Sequence, residues 1–376
     1  MPNITRSALF LPALAGAATL VLCVGATAAP TPPQYAWQTI TPLGAPGEHV
    51  IPARIIAFDA DGRGYGYSLT GADGATVAAV RWANGTLTPL QTPVGTADSH
   101  AAAVTEGAVI GWARSARGSS TGLMWSGDEV LQIGDLLPLA VGPRGVVAGV
   151  IRNPVHPGRY APALWRDGSV TPLPMNNPEA HGWVVGISDR GEVAGSWFLH
   201  GGPSQAVRWT GGVPQVLALP DGARASEARD MNAAGMIVGW ADFDGGRTAA
   251  LLWNGDAVVD LGVLDPATPR VWADSINAHG HVVGIAETPT GRTAFLWDGT
   301  AMHDLRDLIA AATGEPLSAT DDLTVSHLVI GDTGHIAGVR YFADGTAEPF
   351  VLVPVPTPGT LVLGVLAMVP LARRRR

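Results

Sequence analysis

Acidic and histidine side chains recur along the chain at spacings that could hold a metal ion. Asp59 and Asp61 open the segment DADGRG, which is similar to the start of a calcium loop. Such a loop needs an oxygen ligand at Arg63 and a later Glu, and neither is present. An ordinary turn is therefore the better interpretation. His279 and His281 flank a glycine and could share a metal, but no third ligand is evident near them in the sequence.

Four other histidines lie near predicted first strands, namely His49, His100, His181 and His327. If those strands line a common channel, the histidines could converge with Glu179 or Asp274 on a metal or an acid–base pair. Paired carboxylates could also hydrolyse a glycosidic bond. Turn formation better explains the recurring acidic residues, which are Asp189, Asp230, Asp274 and Asp332. The sequence contains no nucleophile elbow, zinc helix or phosphate loop, so it predicts no catalytic residue, metal or cofactor.

Two short motifs alternate along the chain and predict the elements that hold these side chains. One has two glycines enclosing three residues, and the other has apolar residues followed by a Trp and a glycine turn. Successive copies late in the chain are 44 residues apart, a length typical of a propeller blade. The repeated tryptophans are Trp82, Trp125, Trp165, Trp209, Trp253 and Trp297. The second glycines are Gly66, Gly111, Gly149, Gly195, Gly239, Gly284 and Gly338.

The sixth repeat, residues 271–305, shows what one copy should form. Four strand-like runs joined by glycine turns predict an antiparallel meander, and consecutive apolar residues at 294–297 indicate burial of both faces. Gly280 should close the first turn with a positive φ. Gly284 lies inside a strand, so we expect a large side chain, such as a Trp, to fill the space beside it. Packing is the favoured role of the tryptophans, and ligand stacking is the alternative.

The number of strands predicts how the ring closes. The first three strands can be traced seven times, but the fourth only six times. Residues 38–43 (QTITPL) look like the missing strand, by comparison with residues 85–90 and 169–173. We therefore predict an all-β, seven-bladed β-propeller of four-stranded antiparallel blades, with the N-terminal strand completing the last blade. Residues 307–313 predict one or two helical turns that could cover a channel mouth, or else a surface loop.

The sixth repeat also resembles a known family. The run INAHGHVVG at 276–284, followed by TAFLW at 293–297, is similar to the HAF-repeat family of extracellular proteins. The match at 231–239, the long joint before the last repeat and the ending FVLVP at 350–354 extend the resemblance over most of residues 50–353. It implies export and a propeller-like fold, and it implies no established activity. Residues 30–354 should form this domain.

The N-terminus predicts export. Residues 8–25 are apolar, and Ala-Thr-Ala at 26–28 offers a cleavage site, so residues 1–29 read as a signal peptide. An uncleaved anchor helix is the alternative. The single cysteine lies in this segment, and the formal net charge of the chain is −9. An acidic surface argues against nucleic acid as a partner.

The C-terminus, residues 355–376, predicts sorting. A proline-containing motif precedes thirteen residues, 360–372, that are too few for a comfortable membrane span, and arginines end the chain. This order resembles the PEP-CTERM sorting signal, except that Thr stands in place of the family's Glu. The matching residues are Pro356, Thr357, Pro358, Gly359, Arg373, Arg374, Arg375 and Arg376. The resemblance implies processing by an exosortase-type enzyme and transient anchoring in the inner membrane. An ordinary tail anchor is the alternative.

These features favour an exported, non-enzymatic, monomeric propeller that binds or scaffolds at the cell envelope or in an exopolysaccharide matrix. Its partner would be exopolysaccharide or an envelope protein. A polysaccharide hydrolase or lyase on the same scaffold is the alternative. A binding protein needs aromatic and hydrogen-bonding groups at the channel, whereas an enzyme needs two close carboxylates, or His with Tyr, of shifted acidity.

Overall fold

Short antiparallel strands joined by glycine turns form nearly all of the described structure. The computed structural model describes residues 33–44, 51–70, 76–105, 107–156, 158–177, 179–198, 202–313, 328–342 and 346–355. The predicted signal peptide and residues 356–376 of the predicted sorting tail lie outside these ranges, as do His49 and His327. Within them, the strands make seven four-stranded sheets arranged as the blades of a β-propeller, which confirms the predicted fold class.

The first six blades are continuous meanders. Blade one contains β2 (Ala53–Phe58), β3 (Gly64–Thr70), β4 (Thr76–Ala83) and β5 (Thr86–Pro89). Blade two contains β6 (Thr96–Thr105), β7 (Ala108–Ser115), β8 (Ser120–Ser126) and β9 (Glu129–Gly134). Blade three contains β10 (Leu137–Val141), β11 (Val147–Arg152), β12 (Tyr160–Arg166) and β13 (Ser169–Pro172). Blade four contains β14 (His181–Ile187), β15 (Val193–Phe198), β16 (Ser204–Thr210) and β17 (Val213–Val216).

Blade five contains β18 (Ala223–Met231), β19 (Ile237–Phe243), β20 (Thr248–Asn254) and β21 (Ala257–Asp260). Blade six contains β22 (Val271–Ile276), β23 (Val282–Thr288), β24 (Gly291–Trp297) and β25 (Met302–Asp304), and helix α1 (Leu305–Thr313) follows it. Blade seven joins β26 (Val329–Ile330), β27 (Ile336–Tyr341) and β28 (Ala347–Val355) to β1 (Gln34–Thr39) from the other end of the chain. In blades one to six, the innermost strand is the first along the chain and the outermost strand is the last. In blade seven, β26 is the innermost strand and β1 is the outermost.

The closing strand is confirmed, but its register differs from the prediction. Strand β1 runs antiparallel to β28, with Gln34 opposite Val355 and Thr39 opposite Phe350. Ile40 donates its backbone N–H to the carbonyl of Pro349, the bond that Leu90 makes to Ala79 in blade one. The structural equivalent of Leu90 is therefore Ile40. The alignment of the shared Thr-Pro-Leu motif predicts Leu43 instead. Burial decides the register, because Ile40 is 1% exposed and Leu43 is 40% exposed.

The blades pack face to face, which is why successive residues of one strand are apolar. In β24, Thr293 to Leu296 are all buried. The apolar cluster at the junction of blades four and five combines Ala194 and Ala206 with Ile237, Leu251 and Trp253. A meander that packs between two neighbours exposes neither face. Burial of both faces therefore explains the consecutive apolar residues at 294–297, as predicted.

The repeated tryptophans lie in the third strands and in these interfaces. Trp82, Trp125, Trp209 and Trp253 are buried, while Trp165 and Trp297 are half-buried. Trp209 and Trp253 also donate their indole N–H to the carbonyls of Pro174 and Ala218, both at 2.7 Å, in the connection that precedes their blades. These two rings therefore join blades four and five to the chain segments that enter them.

The strand glycine has a nearer neighbour than the one expected. The first glycine of each motif does take a positive φ, for example +82° at Gly280. A Cβ at Gly284, however, would meet the backbone carbonyl of Trp272 first and then the ring of Phe295 at 2.8 Å. The carbonyl approaches because β22 bulges between Ala273 and Ser275, so that the chain turns inwards against the glycine. The expected large side chain is thus Phe295 at Gly284 and Trp209 at Gly195, but at both positions a backbone carbonyl is the nearer neighbour.

Helix α1 confirms the predicted helical turns but does not cover the channel. Leu305, Leu308 and Ile309 are buried in one apolar cluster with Tyr35 of the closing strand. The helix therefore packs on β1 and β24, on the periphery of the ring. No helix in the described residues is long and apolar enough to cross a membrane.

Candidate functional site

A cavity of about 560 Å³ occupies the centre of the ring. The first strand of each of the seven blades contributes side chains to its wall, from β2 through to β26. We call this cavity the central channel. Central channels and similar concave sites are where ligands commonly bind, so the channel is the candidate site.

The bulges place one further residue of each first strand, in blades one to six, on the channel wall. In blades one to six the register of the first strand shifts by one residue opposite the second glycine of the motif. The extra residue has no partner on the second strand, and in every case it lines the channel. These six residues are Ile56, Ala102, Leu139, Val185, Arg229 and Asp274. Four are apolar, so the two charged ones stand out as an adjacent pair from blades five and six.

The guanidinium of Arg229 lies between two carboxylates. Its Nη1 is 3.8 Å from Oε2 of Glu227, and its Nη2 is 3.8 Å from Oδ1 of Asp274. Arg229 and Glu227 are 29% and 19% exposed, whereas Asp274 is 8% exposed. Asp274 is thus the most deeply buried member of this group, which we call the charged cluster.

A second arginine faces the same cluster from blade one. Arg54 lines the channel and attracts Asp274 electrostatically, and burial is the main cause that lowers the pKa of Arg54. Among the described residues, Nε of Arg54 and Oδ2 of Asp274 are buried without a hydrogen-bond partner. Buried polar atoms in native proteins are nearly always satisfied, so each such atom calls for an explanation.

Burial shifts the acidity of the carboxylates in this wall. It raises the pKa of Asp274 to about 6, although Arg229, the backbone N–H of Leu328 and Arg54 act in the opposite direction. Burial also raises the pKa of Glu227. The same cause raises the pKa of Asp230, which is nevertheless held by the hydroxyl of Ser275 at 2.7 Å and the N–H of Ile276 at 2.9 Å.

We expect Asp274 to make the protein less stable as the pH rises. Its folded-state pKa, about 6, exceeds the ordinary value of 3.8, so the folded protein binds the proton more tightly. The resulting stabilisation is fully present below pH 3.8 and is lost through about pH 6, with a magnitude of up to about 3 kcal/mol. Asp274→Asn should therefore gain stability relative to wild type between pH 4.5 and 7.5, as measured by urea unfolding.

The control for this pH effect is Asp189→Asn, because Asp189 is exposed at a turn outside the channel. That variant should follow the wild-type protein at both pH values. A constant difference in unfolding free energy between Asp274→Asn and wild type would contradict the buried, proton-binding role of Asp274.

Aromatic rings line other parts of the wall. His100 stacks on Trp112 with ring centres 4.2 Å apart, and Tyr67 packs against His100 at 4.8 Å. Burial lowers the pKa of His100 to about 4, so this imidazole is neutral at physiological pH. Trp183 of blade four is half-buried and also lines the channel.

A second tryptophan at the equivalent strand position does not reach the channel. Trp272 lies on β22 two residues before the bulged residue, as Trp183 does on β14. The guanidinium groups of Arg270 and Arg292 lie 5.4 and 5.5 Å from the Trp272 ring centre. Both arginines pair with Glu287. The ring of Trp272 is therefore covered by two arginines of its own blade, while the ring of Trp183 contributes to the channel wall.

The calcium-like segment forms a turn. Oδ1 of Asp59 accepts the N–H groups of Asp61 and Arg63 at 3.0 and 2.8 Å, and its Oδ2 accepts the hydroxyl of Tyr65 at 3.0 Å. The side chain of Arg63 pairs with Asp61 at 2.7 Å. The carboxylate of Asp59 thus accepts hydrogen bonds from within its own turn and from Tyr65.

The structure separates most of the other residues that the sequence singled out. His279 and His281 stack with ring centres 5.9 Å apart, and no group of three metal-ligating side chains occurs within the described ranges. His100 and Asp274 line the channel, whereas His181 and the exposed Glu179 do not.

The recurring acidic residues have separate roles, which corrects the view that they all form turns. Asp230 binds the first strand of the next blade, and Asp332 accepts the N–H of Ala278 in the neighbouring blade at 2.7 Å. Asp274 projects from a bulge into the channel. Asp189 remains an exposed turn residue.

Sequence reasoning missed Arg54, Glu227, Arg229 and Trp183. A signal for one of them exists, since Arg229 and Asp274 each stand ten residues before the second glycine of their repeats. The bulge itself, which gives that position its meaning, is visible only in the structure.

No family model and no curated protein matches this chain. Among solved structures, it is similar to TolB from Acinetobacter baumannii, with 13% identity, a TM-score of 0.41 and coverage of 63% of this chain and 60% of that one. A structure from a study of two prolyl endopeptidases shows 11% identity, a TM-score of 0.49 and coverage of 86% and 50%. A puromycin-hydrolysing peptidase of Mycobacterium tuberculosis shows 12% identity, a TM-score of 0.49 and coverage of 85% of this chain and 56% of that one. This chain thus spans between half and three fifths of their lengths, and the similarity is one of fold.

Proposed function

We propose that this chain is an exported, non-enzymatic propeller that binds a saccharide of the cell envelope or exopolysaccharide matrix in its central channel. The observation that carries the proposal is the composition of the channel wall, where the rings of Trp112 and Trp183 accompany the charged cluster. Aromatic faces pack against the apolar faces of sugar rings, and carboxylates and guanidinium groups bind hydroxyls. Both kinds of group line one cavity of about 560 Å³.

The position of Arg229 favours binding over hydrolysis. Glycosidases place the scissile bond between two carboxyl groups, which protonate the leaving group and act as nucleophile or base. Here the guanidinium of Arg229 stands between Glu227 and Asp274 and contacts both. A sugar unit therefore meets the cluster from the channel side and not between its two carboxylates.

A hydrolase or lyase remains the second candidate, and one observation favours it. The raised pKa of Asp274, about 6, is in the range that suits a general acid. Perturbed acidity in a cavity is a recognised feature of active sites, although buried structural ion pairs show it as well.

Export, sorting and transient membrane association are parts of the same proposal, supported by the order of segments in the sequence. The signal-like residues 1–29 and the PEP-CTERM-like residues 355–376 would bring the propeller to the envelope, where an exosortase-type enzyme would process the tail. Fractionation of cells that express the chain with and without residues 356–376 tests this step. Retention of the full-length chain in the cytoplasm would contradict it.

Glycan binding with product analysis tests the proposed function. The purified protein should bind at least one oligosaccharide on an array, and mass spectrometry should find that oligosaccharide unshortened after incubation. Trp183→Ala should weaken binding at least tenfold, because it removes a channel ring. The matched variant Trp272→Ala should bind as wild type, because that ring lies under two arginines. Shortened products would support the enzyme, and a blank array would remove the saccharide proposal.

A further inference from the structure

We infer that the central channel selects uncharged sugar units and rejects sugar acids, because its wall already carries an excess of carboxylates and two of them share the guanidinium of Arg229. This inference rests on the proposed saccharide-binding function and adds the chemical class of the ligand. It concerns the charged cluster, Glu227, Arg229 and Asp274, together with Arg54.

Charge is the first argument. Among the described residues that line the channel, two arginines face four acidic residues, namely Glu227, Asp230, Asp274 and Asp332. Arg229 is shared between Glu227 and Asp274. A ligand carboxylate that approached Arg229 would meet both of these carboxylates at close range, in a buried site where charges are weakly screened. It would also lose hydration that the wall does not replace.

Hydrogen-bond chemistry is the second argument. The guanidinium of Arg229 is a donor and the carboxylate of Glu227 is an acceptor, and these side chains are 29% and 19% exposed. Both residues line the channel, so a ligand can reach them from the cavity. A hydroxyl group can accept from the first and donate to the second, whereas a carboxylate can only accept and an ammonium group can only donate. Neighbouring hydroxyls of a neutral sugar therefore match this wall best.

The existing cation argues against amino sugars. Arg229 already lies between the two carboxylates that would attract a ligand ammonium group. A second positive charge there would be close to the guanidinium groups of both Arg229 and Arg54, and it would have to break the ion pairs already formed. The neutral sugar is thus favoured over both charged classes.

The experiment compares each neutral oligosaccharide with its own oxidised form. Cellohexaose, maltohexaose and laminarihexaose, and the same three after oxidation of the C6 hydroxyl to a carboxylate, are titrated into the wild-type protein by calorimetry at pH 7.5. A chitosan hexamer supplies the ammonium ligand. We expect at least one neutral hexasaccharide to bind, its oxidised form to bind at least tenfold more weakly, and the chitosan hexamer to bind more weakly than the neutral ligand.

The outcomes separate this inference from the proposed function. Equal or tighter binding of an oxidised form or of the chitosan hexamer would overturn the inference and leave saccharide binding in place. Failure of all seven ligands together with a blank glycan array would overturn both. If the array identifies another neutral glycan, that glycan and its C6-oxidised form replace the titrated pair, and the same tenfold criterion applies.

Two variants link the selectivity to the cluster. Asp274→Asn and Glu227→Gln each remove one negative charge at nearly constant shape, so the ratio of neutral to oxidised affinity should fall at least threefold in both. Asp189→Asn, outside the channel, should keep the wild-type ratio. The ratio of the two affinities does not change when part of the protein is unfolded, because both ligands are affected equally. Two variants are used so that the test survives if one of them does not fold. An unchanged ratio in both would overturn the inference.

Discussion

Removal of residues 33–44 should open the ring and make the protein aggregate. Strand β1 supplies the outermost strand of blade seven through six paired residues. It also buries Tyr35 and Ile40, and it stacks Trp37 on Phe350 with ring centres 4.1 Å apart. Truncation of one large buried side chain costs about 3–5 kcal/mol, and whole domains are stable by only about 5–15 kcal/mol. The deletion would also expose the edge of β28, which then pairs with other chains.

Light scattering after size-exclusion chromatography, with a thermal melt, measures this effect. The control adds a synthetic peptide of residues 33–44 to the truncated chain, which should restore a monodisperse species because the peptide can occupy the edge of β28. A peptide with Tyr35→Asp should not restore it, since that residue is 2% exposed in the ring. A truncated chain that is monodisperse and melts like the parent would contradict the closure.

The sequence was sufficient to predict the number of blades and the closing strand, because these depend on strand counts and turns. The register of β1 was not predictable from the TPL motif. That motif repeats in chemistry, but Tyr35 and Trp37 pack in one apolar cluster and Ile40 in another, and burial outweighs a local turn motif. Helix α1 was predictable from residues 307–313, whereas its place beside Tyr35 was not, since the contact joins distant parts of the chain.

The candidate site was only partly predictable. His100 and Asp274 were named from their positions on first strands, but Glu227 and Arg229 were not. Side chains of a regular strand alternate between two faces, and this alternation is the rule by which a sequence is assigned to faces. A bulge inserts an extra residue and breaks that rule, so the direction of Arg229 could not be derived without the register of β18 against β19.

The bulge also explains why glycine recurs in the second strands of blades one to six, and Gly195→Ala tests this explanation. A Cβ at Gly195 would overlap the backbone carbonyl of Trp183, and it would lie 3.1 Å from a ring carbon of Trp209. A ring can rotate or be truncated, but the carbonyl is fixed by the bulge at Val185. We therefore expect Gly195→Ala to cost about 3 kcal/mol or more, above the usual range for overpacking, as measured by urea unfolding.

A double-mutant cycle distinguishes the carbonyl from the ring as the obstacle. If the ring of Trp209 were the obstacle, Trp209→Ala would relieve Gly195→Ala and the two costs would be less than additive. Because the carbonyl of Trp183 is the obstacle, the loss from Gly195→Ala should persist in the Trp209→Ala background. Gly158→Ala is the control, since a Cβ there meets no atom within 4 Å and should change stability by less than about 0.5 kcal/mol. Movement of that carbonyl also displaces Trp183, so a folded Gly195→Ala protein should lose saccharide affinity, which ties the repeated glycine to the channel wall.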